Sequence, residues 1–448
     1  LGQQIPFMPK NSVKFLTSPP AILAVGFLCL ITLGCILLKL PACTIEPITW
    51  IQAAFTATSA VTVTGLSIVD TANYTRLGQV IIAILIQFGG LGFMTFAVFA
   101  FISLQRRLNI VGQKIAREAF AETSFGDIST TAKSVITIAL SVELIGFIAL
   151  SLAFLKEMPA SEALYAGFFY TVSAFNNAGF ALTSDNLMPY ADNKSINIII
   201  TSLIIIGGLG FIVVKDIIDN RSWRKISVNT KVVVTTTVAL NFMAFVLFWL
   251  LEHNNPNTLG HLSFSNQLTA AWFQAITPRT AGFNTIPIEQ LTDASTLLTM
   301  FLMFIGGGSL STASGIKIGT FVILILTTWA FLRQRDHVIV FKRRIPDRLV
   351  RKSLALISIT MMLIFISVFV LSVVEADHPL DDVLFEVVSA LSTVGLTRGL
   401  TTKLSSTGEI VIMFMMFAGR VGPLTLAYLI AMPKSSRVHY PETNVLVG

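Results

Sequence analysis

Hydrophobic residues run along this chain in blocks rather than alternating with polar ones. A long block covers residues 19–40, and a shorter one, 48–61, follows it and ends in Thr62-Val63-Thr64-Gly65-Leu66. The next long block, 77–104, carries Gly89-Gly90-Leu91-Gly92-Phe93. A block of about 20 apolar residues matches a membrane-crossing helix, whereas one of about 14 is too short to cross and suits a re-entrant segment. The order long, short, glycine turn, long then returns. In its second copy the blocks are 132–155, 160–175 and 196–218, with Asn176-Asn177-Ala178-Gly179-Phe180 at the turn and Gly207-Gly208-Leu209-Gly210-Phe211 in the last block. The third copy has 232–251, 266–277 and 296–332, the turn Pro278-Arg279-Thr280-Ala281-Gly282-Phe283-Asn284, and Gly306-Gly307-Gly308 further on. The fourth has 349–374, 380–391 and 408–430, the turn Ser392-Thr393-Val394-Gly395-Leu396-Thr397, and Gly419-Arg420-Val421-Gly422.

The spacing makes this a repeat. From turn glycine to helix glycine the steps are 24, 28, 24 and 24 residues, and successive turn glycines lie 114, 103 and 113 apart. A period near a hundred residues is too long for a solenoid and describes a duplicated membrane module. The predicted fold is an all-α membrane protein of four M1–pore helix–M2 repeats. Eight transmembrane helices and four re-entrant pore loops stand in pseudo-fourfold arrangement around one pore. The modules are 19–110, 111–228, 229–345 and 346–432, between an N-terminal segment 1–18 and a tail 433–448.

Composition agrees. Only 12% of the residues are charged and 54% are hydrophobic, against about 25% charge in soluble domains. The net charge of +7 does not point to nucleic acid, because the basic residues sit between apolar blocks. Of 31 Lys and Arg, 22 lie at the termini and module joints, among them Arg106, Arg107, Arg343 and Arg344, and seven lie around the short blocks. The positive-inside rule puts both termini and the joints in the cytoplasm, with lipid headgroups as partners there, so all four turns enter from outside. Lys10 and Lys14 precede a block of full spanning length with no evident cleavage site, which reads as a retained helix. Cys29, Cys35 and Cys43 fit no metal-ligand spacing, so no transition-metal site is expected. A phosphate-binding Gly-x-x-x-x-Gly-Lys, a His-Glu-x-x-His and a catalytic dyad are all missing from the sequence, and no enzyme is expected.

Irregular backbone at membrane depth is tolerated where it is buried in protein or lines a water-filled path. Four such turns entering from one side can surround an axis, with the negative ends of four short helices aimed at it. The candidate ion filter is Thr62, Val63, Thr64 and Gly65; Asn176, Asn177, Ala178 and Gly179; Thr280, Ala281, Gly282 and Phe283; and Thr393, Val394, Gly395 and Leu396. These residues offer carbonyls and hydroxyls without carboxylates, which suits a monovalent cation such as potassium.

Gly306, Gly307, Gly308, Ser309, Ser311, Thr312, Ser314, Gly315 and Lys317 interrupt an apolar helix directly below the third turn and form the candidate gate. A close helix–helix contact through small residues is the other reading. Arg420 is an ionisable residue in an apolar block, a functional candidate by position. It is expected to bind the carbonyls and hydroxyls of 306–315, the alternative being a pairing with an acidic residue. Arg279 is expected behind the filter, held by a carbonyl or carboxylate, and Lys317 is expected to snorkel to the cytoplasmic surface. Asp70, Asp185, Glu289 and Asp293 either gather cations at the outer mouth or form a plain solvated rim.

The four turn motifs, taken in order, resemble those of the Trk/Ktr/HKT superfamily of potassium translocators. The third motif, with 306–317, is most similar to the Ktr branch. The resemblance covers nearly the whole chain. It implies potassium passing into the cell across the plasma membrane, down its electrochemical gradient. Glycine at all four turns implies potassium over sodium, since a serine at the first is associated with sodium permeation; a sodium or unselective channel of the same fold is the alternative. The resemblance further implies a flexible intramembrane loop as gate and a homodimer with one pore per protomer, with residues 438–448 a contact for the second protomer. It implies a cytosolic ring of RCK-type subunits carrying the nucleotide, this chain itself holding no cofactor.

Overall fold

The computed structural model describes residues 19–92, 125–423 and 425. The N-terminal segment with Lys10 and Lys14, Arg106, Arg107 and the tail expected at the second protomer lie outside these. Each leading long block is one helix: α1 (Pro19–Leu38), α4 (Phe125–Phe154), α8 (Val228–Glu252) and α12 (Asp347–Val374). All four are long and apolar enough to cross a membrane. Their outer faces carry exposed apolar stripes at helical spacing, such as Leu140, Leu144, Ile148 and Leu152 on α4, or Phe365, Phe369 and Val373 on α12. In water these stripes would be costly; in lipid they are the solvated face.

The short blocks are the helices α2 (Trp50–Thr62), α5 (Ala160–Phe175), α9 (Phe264–Ile276) and α13 (Leu380–Ser392), each within two residues of its expected bounds. A capping box starts α2: Thr49 accepts from the Gln52 amide at 3.3 Å and Gln52 Oε1 accepts from the Thr49 amide at 2.8 Å. The C-terminal halves of all four are buried, and Phe55, Phe169, Phe273 and Phe385 are the large side chains at their centre.

The closing helices are α3 (Arg76–Leu91), α6 (Lys194–Leu209), α10 (Asp293–Phe304) and α14 (Ser406–Val421). Each starts from a side-chain cap, Thr75, Asn193, Thr292 or Ser405, accepting from the amide three residues on. From cap to the helix glycine (Gly89, Gly207, Gly306, Gly419) the distance is 14 residues in every module. The surplus that lengthens the second step to 28 therefore lies in the loop between Gly179 and Asn193. An acid near the end of the preceding long helix clamps three of these caps: Glu157 accepts from Asn193, Glu252 from Thr292 and Glu375 from Ser405.

The closing blocks of the first, second and fourth modules, read as single apolar helices, are broken by glycine, and that of the third is interrupted as expected. Gly92 (φ +81°) and Gly422 (φ +96°) end α3 and α14. Gly210 (φ +98°) turns α6 by 95° into α7 (Phe211–Asn220). In the third module α10 gives way to a loop, 305–317, before α11 (Ile318–Leu332). Such φ values are open to glycine and strained for other residues, so the helix breaks there although both flanks stay apolar. Among the described residues, four helices are long and apolar enough to cross in one piece and one bent pair forms a fifth candidate span. A short hairpin, β1 (Ile339–Val340) with β2 (Arg343–Arg344), sits in the basic joint before α12.

Candidate functional site

Each short helix ends in the same backbone device. Val63, Asn177, Thr280 and Thr393 are left-handed (φ +58°, +57°, +66°, +50°), and the glycine two residues on is again at positive φ: Gly65 +96°, Gly179 +70°, Gly282 +73°, Gly395 +92°. Left-handed geometry on three β-branched residues is strained and is held by surrounding contacts. The amides of Gly65 and Gly395 donate to Ser59 and Ser389, at 3.0 and 3.2 Å, and Ser173 and Thr277 donate to the Phe180 and Phe283 carbonyls. Thr62 and Thr64 share a 2.7 Å hydroxyl contact. The side chains of Thr62, Val63, Thr64, Asn176, Asn177, Ala178, Thr280, Ala281, Phe283, Thr393, Val394 and Leu396 are buried, so the turns are set from behind by packing.

The four turns meet in a closed ring. The space beside Gly65 is occupied by the Ala178 carbonyl, beside Gly179 by Ala281, beside Gly282 by Val394, and beside Gly395 by Thr64. One carbonyl from each turn thus lies against the glycine of its neighbour, in the order one, two, three, four and back to one. A Cβ at any of these glycines would collide with backbone. Asn186, in the loop between the second turn and α6, accepts from the Asn284 amide at 3.3 Å and reaches the Gly282 carbonyl at 3.5 Å, bracing the third turn.

The 305–317 loop lies next to this ring. Its Gly308 amide donates to Gly208 O at 2.8 Å, its Thr312 amide to Gly207 O at 3.3 Å, and its Leu310 carbonyl accepts from the Phe211 amide at 2.9 Å. Thr312 Oγ1 donates to Phe175 O and contacts Asn177 Oδ1, both at 3.2 Å, which ties the loop to the second turn. Ser311 Oγ bonds Gly308 O at 2.7 Å, the Ser309 carbonyl lies against Gly210, and Gly315 (φ +67°) lies against Gly306. Gly307 is buried against Gly208 O and Ala313.

Arg420 reaches across the molecule to this loop. Its Nη1 donates to Thr312 O at 2.6 Å and Ser314 Oγ at 3.2 Å, and its Nη2 to Gly89 O and, at 3.0 Å, to Gly90 O. Its partners are carbonyls and a hydroxyl, not the acid of the alternative reading. Lys317 departs from expectation: its Nζ turns back to Ala313 O at 2.6 Å instead of snorkelling outward, because carbonyls left free by the broken helix lie within reach. Arg279 is buried, donating to Asn241 Oδ1 at 3.1 Å and Gly306 O at 3.2 Å, so it joins the third turn to the root of the loop. A cavity of about 440 Å³ runs from Ser392, at the end of α13, past Ala313, Lys317 and Arg420 to Lys352 near the start of α12. Asp70, Asp185, Glu289 and Asp293 are all exposed.

Sequence reading missed three residues that hold the turns from behind. Asn241 bonds Arg279. Glu386 is fully buried in α13 and accepts from Thr397 at 2.8 Å and from Thr401. Glu143 accepts from Asn176 and Gln87. The two acids interrupt apolar helices just as Arg420 does, and the rule that singled out Arg420 would have found them.

A family model described as a cation transport protein, TrkH, matches residues 21–440. The Ktr system potassium uptake protein B of Bacillus subtilis is 41% identical over 96% of this chain and 97% of its own length. The potassium/sodium uptake protein NtpJ of Enterococcus hirae is 36% identical over 98% and 99%. The crystal structure of the potassium transporter TrkH from Vibrio parahaemolyticus superposes with a TM-score of 0.74 at 20% identity, covering 92% of this chain and 85% of that one, which establishes the shared fold. The chain belongs to the TrkH cation transport family: it is a multi-pass membrane transport protein and not an enzyme.

Proposed function

We propose that this chain is a potassium-translocating membrane subunit whose four modules, 19–110, 111–228, 229–345 and 346–432, surround one pore in pseudo-fourfold array. The observation that carries the reading is the closed ring, in which Thr64, Ala178, Ala281 and Val394 each bring a carbonyl against the next glycine. Carbonyls so arranged replace the hydration shell of a monovalent cation, and the negative ends of α2, α5, α9 and α13 add to the attraction. Potassium, as the ion taken in, is supported by the printed name of the Bacillus relative. The 306–315 loop is the gate, pinned by Arg420, and a charge of the same sign as the ion adds a barrier at that level. By family likeness the chain works as a homodimer in the plasma membrane, with termini in the cytoplasm and a cytosolic nucleotide-binding ring acting on the gate.

The Enterococcus relative, named for potassium and sodium, keeps an unselective filter as the second reading. Potassium and sodium fluxes through the purified protein in liposomes separate the two. Potassium carried and sodium largely refused supports the selective filter. Equal fluxes leave the pore and remove the selectivity.

A further inference from the structure

We propose that Glu143 is a specificity-determining positioning residue. It holds Asn176, and with it the second turn of the ring. The inference rests on the filter reading above and concerns a residue that reading does not use.

Glu143 lies mid-way along α4 inside the candidate span Lys133–Phe154, and it is 8% exposed. Its Oε2 accepts from Gln87 Nε2 at 3.0 Å and its Oε1 from Asn176 Nδ2 at 3.2 Å. The same Asn176 amide group donates to Gln87 Oε1 at 2.8 Å and to Val172 O at 2.9 Å. Helix α4, the closing helix α3 of the first module and the second turn therefore meet in one buried triad. Both carboxylate oxygens face N–H donors.

The third module uses the same place differently. Arg279 stands three residues before Gly282, as Asn176 stands three before Gly179, and it too is braced by an amide-bearing side chain of the preceding long helix, Asn241. There the ionisable group sits on the turn and the amide on the brace; at Glu143 the ionisable group sits on the brace and the amide on the turn. The ion pairs formed among the described residues engage Glu162, Asp347, Asp381 and Asp382, not Glu143. Amide hydrogen bonds, not a charged partner, fix Glu143, and through them it sets where Asn176 stands. Asn176 Oδ1 also lies against Gly90, whose carbonyl accepts from Arg420, so the triad backs both the second turn and one anchor of the gate.

The test is ion-dependent stabilisation of the purified full-length protein in detergent, read as the unfolding midpoint during KCl and NaCl titrations, since a bound ion stabilises the folded state by mass action. Glu143→Gln is expected to need about tenfold more potassium for half of the stabilisation and to narrow the potassium-over-sodium preference. The double variant Glu143→Gln with Gln87→Glu returns the acid to the other side of the triad and is expected to recover potassium affinity to within about threefold. A purely structural role would lower the midpoint in every salt and leave the titration unmoved. A Glu143→Gln protein with wild-type affinity and preference overturns the inference and leaves the filter standing. Should Glu143→Gln fail to fold, the double variant decides, and a folded double variant still about tenfold weaker overturns the inference. A wild-type protein stabilised by neither ion overturns the filter reading and this inference together.

Discussion

Replacing Arg420 by alanine removes one guanidinium and leaves four acceptors without it: Thr312 O, Ser314 Oγ, Gly89 O and Gly90 O. Two of these belong to the loop and two to the end of α3, so the side chain staples the fourth, third and first modules together. A hydrogen bond from a charged donor contributes about 1.5–3 kcal/mol net. The two bonds to the loop thus set a gross loss of about 3–6 kcal/mol. The loop keeps three backbone bonds to the second module, from Gly308, from Thr312 and to Leu310, and the Thr312 hydroxyl keeps its contacts to Phe175 O and Asn177 Oδ1. Water entering the adjoining cavity re-solvates Thr312 O and Ser314 Oγ and offsets part of the loss. A shift of about 1.5–3 kcal/mol in the loop equilibrium remains, which multiplies the open population roughly 10- to 100-fold. Removing the positive charge lowers the barrier to a cation further. Rubidium uptake into liposomes carrying an outward potassium gradient, without any partner protein, is the assay. Arg420→Lys should fall between the two, since an ammonium replaces a rigid five-donor fork by a point charge. Uptake through Arg420→Ala equal to wild type, with the variant inserted and monodisperse, would refute the pinning role.

Thr312→Val removes the 3.2 Å contacts to Phe175 O and Asn177 Oδ1 and should raise basal uptake about fivefold, in line with about 1 kcal/mol for a neutral bond, in the same liposome assay. Gly65→Ser places a Cβ against the Ala178 carbonyl at φ +96°, and bi-ionic flux should show the potassium-over-sodium ratio falling at least about tenfold. Glu252→Ala strips the acceptor from Thr292, Thr258 and Asn255 and should cost about 2–4 kcal/mol, read as a lower thermal unfolding midpoint, with Glu252→Gln losing less.

The repeat was legible because its signals are local. Short apolar blocks closed by glycine located α2, α5, α9 and α13, and the 24-residue step from turn glycine to helix glycine in three of the modules marked the level at which Gly89, Gly306 and Gly419 sit. The breaks at Gly92, Gly210 and Gly422 were hidden, because a glycine at positive φ changes the backbone without changing the hydropathy on either side. Arg420 could be singled out as a lone charge, but its four partners come from residues more than a hundred positions away. The inward turn of Lys317 depends on carbonyls that exist only once the helix is broken. The Glu143–Gln87–Asn176 triad joins segments 33 to 89 residues apart, and only packing reveals such a contact.

The most direct test of the central claim is crystallographic: anomalous scattering from crystals of this protein grown in rubidium or thallium, ions that stand in for potassium. The account predicts a peak on the ring axis, equidistant from the carbonyls of Thr64, Ala178, Ala281 and Val394 and weakened when sodium replaces the heavier ion. A ring without density, or density only in the cavity beside Lys352 and Arg420, would contradict it.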